Sequence, residues 1–263
     1  MKKKINLSFS QFFFILMYIS LNIGFFFNEN SSGGSEKDFH YTFFIVEEIS
    51  KDIVNGTKTL INSTIPHFPL HYLILGSIYK YINNVDVLRF IILQIYILIP
   101  FFLYKCLSEI SIKKEEALLI STIVFISPYF RSSAIWATSD NTALLFFLIS
   151  IFFFLKVNRS NRKYKYLFTL LSVFFLSVSA FTRFYYITFI LYFFLEFMKK
   201  SSIKYLTICA IVSLVIFLPS VTYYFTTKKL LHNYITDNIF NNIYINLSIF
   251  FFLFKSLYFF FQD

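Results

Sequence analysis

Charge is scarce in this sequence. Only 14% of its 263 residues are Asp, Glu, Lys or Arg, whereas 57% are hydrophobic. Soluble domains carry about 25% charged and about 45–50% apolar residues, so an ordinary soluble domain is excluded. Cysteine is nearly absent as well. Cys106 and Cys209 stand alone, each in or beside an apolar run. Neither belongs to a C-x-x-C pair or a Cys/His metal spacing, and both read as inert buried thiols. The five glycines form no phosphate-cradling loop. Ser-His-Asp order, zincin spacing and internal repeats are missing too, which removes several hydrolase classes and the solenoids.

What the sequence has in quantity is apolar bulk. Forty Phe and nineteen Tyr sit in long runs that recur over the whole length, the pattern of an all-α, polytopic membrane protein with one domain, 1–263. The Phe, Ile, Lys and Asn bias is that of an AT-rich genome. A net charge of +10 would suggest nucleic acid in a soluble protein. Here the cations cluster between apolar runs, at Lys2–Lys4, at Lys105, Lys113 and Lys114, from Lys156 to Lys165, and at Lys199, Lys200 and Lys204. Topology explains them better than nucleic acid does.

If all four clusters are cytoplasmic, an even number of spans separates each pair. The expected spans are 9–27, 87–107, 117–129, 143–155, 167–181, 185–197, 203–224 and 243–261, about eight in all. The first resembles a signal peptide but lacks a clean cleavage site, so it reads as an uncleaved span with a cytoplasmic N-terminus. Residues 67–82 are apolar but short, and counting them would break the parity. They are expected to lie on the outer surface as a juxtamembrane or re-entrant helix. Residues 39–53 mix apolar positions with Glu47, Glu48, Lys51 and Asp52, as suits a helix lying along the membrane surface.

The first outer loop, 28–66, is the one long polar stretch, and ionisable residues gather on its side of the membrane. Asp38 lies there, next to the apolar boundary, where a carboxylate must be hydrated or paired. His40 follows it. His67 and His71 stand four residues apart after Pro66, a spacing that can bind metal, but without a third ligand in place an interfacial histidine with no metal fits better. Arg131 and Asp140 bracket a short turn between two spans; Asp140, with Ser139, is also placed to cap the helix that follows. Arg131 and Arg183 are the arginines expected at the outer face. Their planar forks suit phosphate oxygens, and headgroup anchoring is the competing use. Sequons occur at Asn30, Asn55 and Asn62 and matter only in a eukaryotic secretory host.

Taken in order, several short motifs resemble the GT-C membrane glycosyltransferases that use polyprenyl-phosphate sugars, most nearly the protein O-mannosyltransferases and lipid A aminoarabinose transferases. The motifs are Asp38-Phe39-His40, Pro66-His67-Phe68-Pro69-Leu70-His71-Tyr72, Val87-Leu88-Arg89-Phe90, Ser127-Pro128 and Ser139-Asp140-Asn141. A dolichyl-phosphate-glucose transferase is another relative suggested by Phe39-His40 and Thr182-Arg183. The resemblance implies that Asp38 is the general base and that Arg183, with Arg131, holds the donor phosphate. Asp140 would brace the site, and His40, His67 and His71 would contact substrate. It implies a lipid, glycan or protein acceptor and a bacterial inner membrane or endoplasmic reticulum membrane, with the site outer or luminal. No cofactor is required by it, and a divalent metal stays open. The chain ends directly after an apolar run, where relatives continue, so a C-terminally short copy is expected. The alternatives are a transporter or flippase-like protein and a truncated non-catalytic subunit.

Overall fold

A computed structural model describes residues 8–63, 69–159, 162–199, 207 and 210–213. The described residues all belong to one unit, Met1–Ser220. They are helical, with no strand among them. Among the described residues four helical stretches are long and apolar enough to cross a membrane: Phe9–Phe26, Val85–Glu109, Ser139–Val157 and Tyr164–Thr182. A bent pair, Lys114–Ile126 with Pro128–Ile135, makes a fifth if it is one span. This is the construction of an integral membrane protein.

Helix α1 (Phe9–Phe26) begins at a capping box, in which Ser8 and Gln11 satisfy each other's backbone N–H groups. Its 18 residues extend about 27 Å. Phe12, Ile15, Leu16, Ile19 and Ile23 stay exposed on one side, whereas Leu21, Gly24 and Phe25 are buried. An apolar outer face is what a bilayer, rather than water, would cover.

The expected polar loop is largely helical. Helix α2 (Ser35–Lys51) and helix α3 (Ile53–Asn62) fill it, with Asp52 capping α3 through Val54 N and Asn55 N. Asp38 therefore sits in the first turn of α2 and not in irregular chain, with its N–H bonded to Gly34 O. The expected surface helix at 39–53 starts four residues early and stops at Lys51. Helix α4 (Leu70–Ile82) is thirteen residues long, about 20 Å and short of a span. It packs on α2. Gly56 and Gly76 both face buried Ile49: a methyl on Gly76 would come 2.5 Å from Ile49 Cγ2, while one on Gly56 would meet the Ile49 backbone itself. A side-chain methyl yields more readily than backbone, although a methyl on Gly76 would also meet Ile49 Cβ at 2.8 Å and Val46 O at 3.2 Å. Gly56→Ala should therefore lower the thermal midpoint of the purified protein more than Gly76→Ala. Overpacking costs about 1–3 kcal/mol, against the roughly 1 kcal/mol that Ala gains over Gly inside a helix.

Helices α5 (Val85–Tyr96) and α6 (Leu98–Glu109) form one long stretch with an irregular step at Ile97. Pro100 explains the step, because it has no N–H to give the carbonyl four residues before it. The expected span at 117–129 differs more. Helix α7 (Lys114–Thr122) runs through a 3₁₀ turn, Ile123–Ile126, and then bends by 68° into helix α8 (Pro128–Ile135). Ser127 caps α8 and Pro128 occupies its first turn, so the chain restarts a helix there rather than continuing one.

Among the described elements, helices α9 (Ser139–Arg159) and α10 (Arg162–Thr182) share the most extensive contact. Fully buried Ser150 and Ser172 donate to each other's carbonyls at 2.9 and 3.0 Å, and Ser179 donates to Ala143 O at 2.8 Å. Small residues let the two backbones approach this closely, and each serine hydroxyl is satisfied without water. Helix α11 (Ile187–Met198), expected as a span over 185–197, is only twelve residues long. It packs Phe193 and Phe197 against Phe154 of α9. The expected spans 203–224 and 243–261 and Cys209 lie outside the described residues, apart from 207 and 210–213.

Candidate functional site

Between α8 and α9 the chain makes a turn that is buried throughout: every residue from Ser132 to Ser139 is buried. A turn inside a protein must find a partner for each backbone polar group. Side chains from α4 and α5 supply several of them, and the turn's own Trp136 reaches out to the chain beyond α1. Trp136 donates its indole N–H to Glu29 O, while Arg89 Nε donates to Ile135 O. His71 Nε2 lies 2.9 Å from Ala137 O, and the Tyr96 hydroxyl reaches Thr138 O and Thr142 Oγ1. Ala137 has φ 46, a left-handed conformation that is rare without glycine. The bonds on its carbonyl and on its neighbours hold it there.

His71 is fully committed to this turn. A carbonyl only accepts, so Nε2 carries the proton facing Ala137 O, while Nδ1 is engaged with Thr142 Oγ1 2.8 Å away. With both nitrogens engaged, the ring has no lone pair for a metal. This removes the metal reading of the His67/His71 spacing for His71; His67 lies outside the described residues. Among the described residues no group of three or more His, Cys, Asp and Glu is placed to hold a metal ion.

The turn forms one wall of a cavity of about 300 Å³. Asp38 and Phe39 line it from α2, His71 from α4, and Arg183 from beyond the end of α10. Three of the seven candidate residues thus come together. Asp38 is exposed, as a charged carboxylate at an apolar boundary needs to be. Arg183 Nη2 donates to Asp140 Oδ2 at 2.7 Å, and the Tyr185 hydroxyl lies 3.4 Å from Asp140 Oδ1. Burial, followed by the Asp140 charge, pushes the Tyr185 hydroxyl above its ordinary pKa, so it remains a donor. Asp140 thus sits behind Arg183, outside the cavity lining. His40 turns aside and packs its ring on Trp136, 5.4 Å between centroids.

Arg131 has a different occupation. Its five N–H donors meet five acceptors: both Glu29 carboxylate oxygens, Ser20 Oγ, Ser20 O and Phe125 O. No donor remains for a phosphate. The guanidinium instead ties α8 to the end of α1, and Gly24 leaves room for it, since a methyl there would collide with both members of the pair. Hydrogen bonding from Arg131 holds the Glu29 carboxyl below its ordinary pKa of 4.5. A depressed carboxylate stabilises the fold above the unfolded-state pKa and loses that contribution as pH falls through the folded one. Glu29→Gln should therefore cost stability at neutral pH, about 1.5–3 kcal/mol for a charge-assisted contact. The gap from wild type should close as the pH falls below 4.5. Thermal midpoints of both proteins across that range check it, and a gap that stays constant contradicts it.

Two residues that matter here were not singled out as site candidates from the sequence. Glu29 follows the first span directly, next to two asparagines, and looks like ordinary loop polarity. Arg89 had a visible signal: an arginine inside an apolar span is costly unless it is employed. It is 4% exposed, packs 3.8 Å from the Trp136 ring centre, and lies between Phe25 and Phe39. Its side chain joins Asn28, Asp86 and Ile135. No protein-family model, curated protein or solved structure matches the chain.

Proposed function

We propose that the protein is a membrane glycosyltransferase that moves a sugar from a polyprenyl phosphate to a hydroxyl or amine acceptor at the outer or luminal face. Asp38 is the general base and Arg183 the phosphate holder. One observation carries the reading: an exposed carboxylate and an arginine line the same cavity of about 300 Å³, at the same end of the helices. Direct transfer needs that pair. Asp38 takes the proton of the acceptor as the acceptor atom bonds to the anomeric carbon. The bond from that carbon to the phosphate oxygen breaks, and the departing charge falls to Arg183. Attack from the face opposite the phosphate inverts the sugar. Arg131 has no part in this, and Asp140 holds Arg183 at the cavity until the phosphate arrives.

Helix α9 gives the proposed orientation. Its first turn carries Asp140 and its last Lys156 and Arg159, which pair with Glu109 at 2.6 and 3.8 Å. Twenty-one residues span about 30 Å, the thickness of a hydrocarbon core. The basic end is cytoplasmic by the positive-inside rule, which puts the cavity on the other side.

A transporter reading draws on the 68° break between α7 and α8, since interrupted helices line transport paths. The experiment that separates the two supplies a panel of polyprenyl-phosphate sugars to membranes holding the protein. Sugar appearing on an acceptor with release of polyprenyl phosphate supports the transferase. Movement of intact donor across vesicles, with no transfer, supports the transporter.

A further inference from the structure

A second cavity, of about 380 Å³, lies on the far side of the Arg183–Asp140 ion pair. Its polar lining includes Ser35, Tyr129, Ser133, Asn141 and Tyr185, and among the described residues Asp140 is the one charged residue in it. Arg183 lines the first cavity and Asp140 the second. The pair thus forms the partition, with the guanidinium the drier member at 17% exposure and the carboxylate the wetter at 48%.

The chemistry of the two chambers differs. The first offers a guanidinium and suits an anion. Among its described residues the second has hydroxyls, an amide, three tyrosine rings and a carboxylate already neutralised by its neighbour, a lining that offers phosphate no cation and suits a neutral molecule rich in hydroxyl donors. We propose that the second cavity binds a small sugar through Asp140, and that the Arg183–Asp140 pair couples it to the first cavity. A phosphate in the first cavity draws the guanidinium fork toward its own oxygens. Asp140 Oδ2 is then released to accept from a sugar hydroxyl, while Tyr185 keeps hold of Oδ1. By reciprocity, a sugar on Asp140 frees Arg183 for phosphate by the same factor. The coupling rests on the first cavity taking phosphate, as proposed above; sugar binding in the second does not.

The test uses the full chain in lipid nanodiscs free of glycoside detergent, with citronellyl phosphate as the anionic probe and methyl glucoside and methyl mannoside as sugar probes, followed by ligand-observed NMR. The expected result is sugar binding that tightens about tenfold when citronellyl phosphate is saturating. Asp140→Asn should abolish that tightening. Tyr129→Ala, at a residue 76% exposed and so tolerant of change, should weaken the sugar and leave citronellyl phosphate bound as before. Phosphate binding without sugar binding overturns the second site. Both ligands bound with no mutual effect overturns the coupling. Sugar bound in a Tyr129-dependent way with no phosphate binding upholds the second site, overturns the coupling, and places the failure in the reading of the first cavity.

Discussion

Asp38→Asn is expected to slow sugar transfer by about 10²–10⁴-fold, the contribution of a positioned general base, with the loss in kcat. Asparagine has the shape of the carboxylate but cannot take a proton from the acceptor. Donor binding, which the proposal assigns to Arg183, should persist. The variant is also a clean one. Asp38 is exposed in the first turn of α2, where its charge favours the helix by only about 0.3–1 kcal/mol. Loss of turnover then cannot be assigned to loss of the fold, and the thermal midpoint measured on the same preparation verifies this. Transfer that continues at the wild-type rate would remove Asp38 from the mechanism and, with it, the observation on which the transferase reading stands.

The second large effect concerns Arg89. Arg89→Ala is expected to destabilise the protein by about 3–5 kcal/mol, the cost of a core void together with a buried carbonyl left without its donor. The substitution leaves a void between Phe25, Phe39 and Trp136 and strips Ile135 O of a buried donor at 3.1 Å. It also removes the 3.0 Å bond to Asn28, which sits at φ 50. The ion pair is a minor part, because the Asp86 side chain is 80% exposed. Asp86→Ala should cost below about 1 kcal/mol. Arg89→Lys should rescue little, since an ammonium cannot stack on Trp136 while serving three acceptors in different directions. Trp136 is the sole tryptophan, so its emission reads the site directly. A red shift in Arg89→Ala, absent in Asp86→Ala, is the expected signature. An unshifted spectrum with an unchanged midpoint contradicts the assignment.

Arg89 also shows why the candidate site was only partly legible in the sequence. Its position in an apolar run was plain, but its neighbours come from α1, α2 and the turn before α9, up to 64 residues away at Phe25. Arg131 illustrates the opposite error. It stands in the sequence beside Asp140 as if paired with it, and folding gives it to Glu29, 102 residues distant, with all five donors used. Asp38 and Arg183, 145 positions apart, were linked only through a family-like order of motifs, and they do line one cavity.

The sequence by itself determined the class of environment and the course of the long helices. An 18- to 25-residue apolar stretch such as Phe9–Phe26 or Val85–Glu109 satisfies its backbone internally and can be covered by lipid, and both properties are local. Tertiary structure alone decided that α7 and α8 meet at 68°. It also decided that the loop after α1 folds into two helices, the first of them packed against α4, and that His71 is locked to Ala137 and Thr142. The physical reason is that polar groups in an apolar surrounding must be satisfied by whatever donors and acceptors packing brings near. Which ones arrive depends on contacts between residues far apart in the chain, and no local pattern records them.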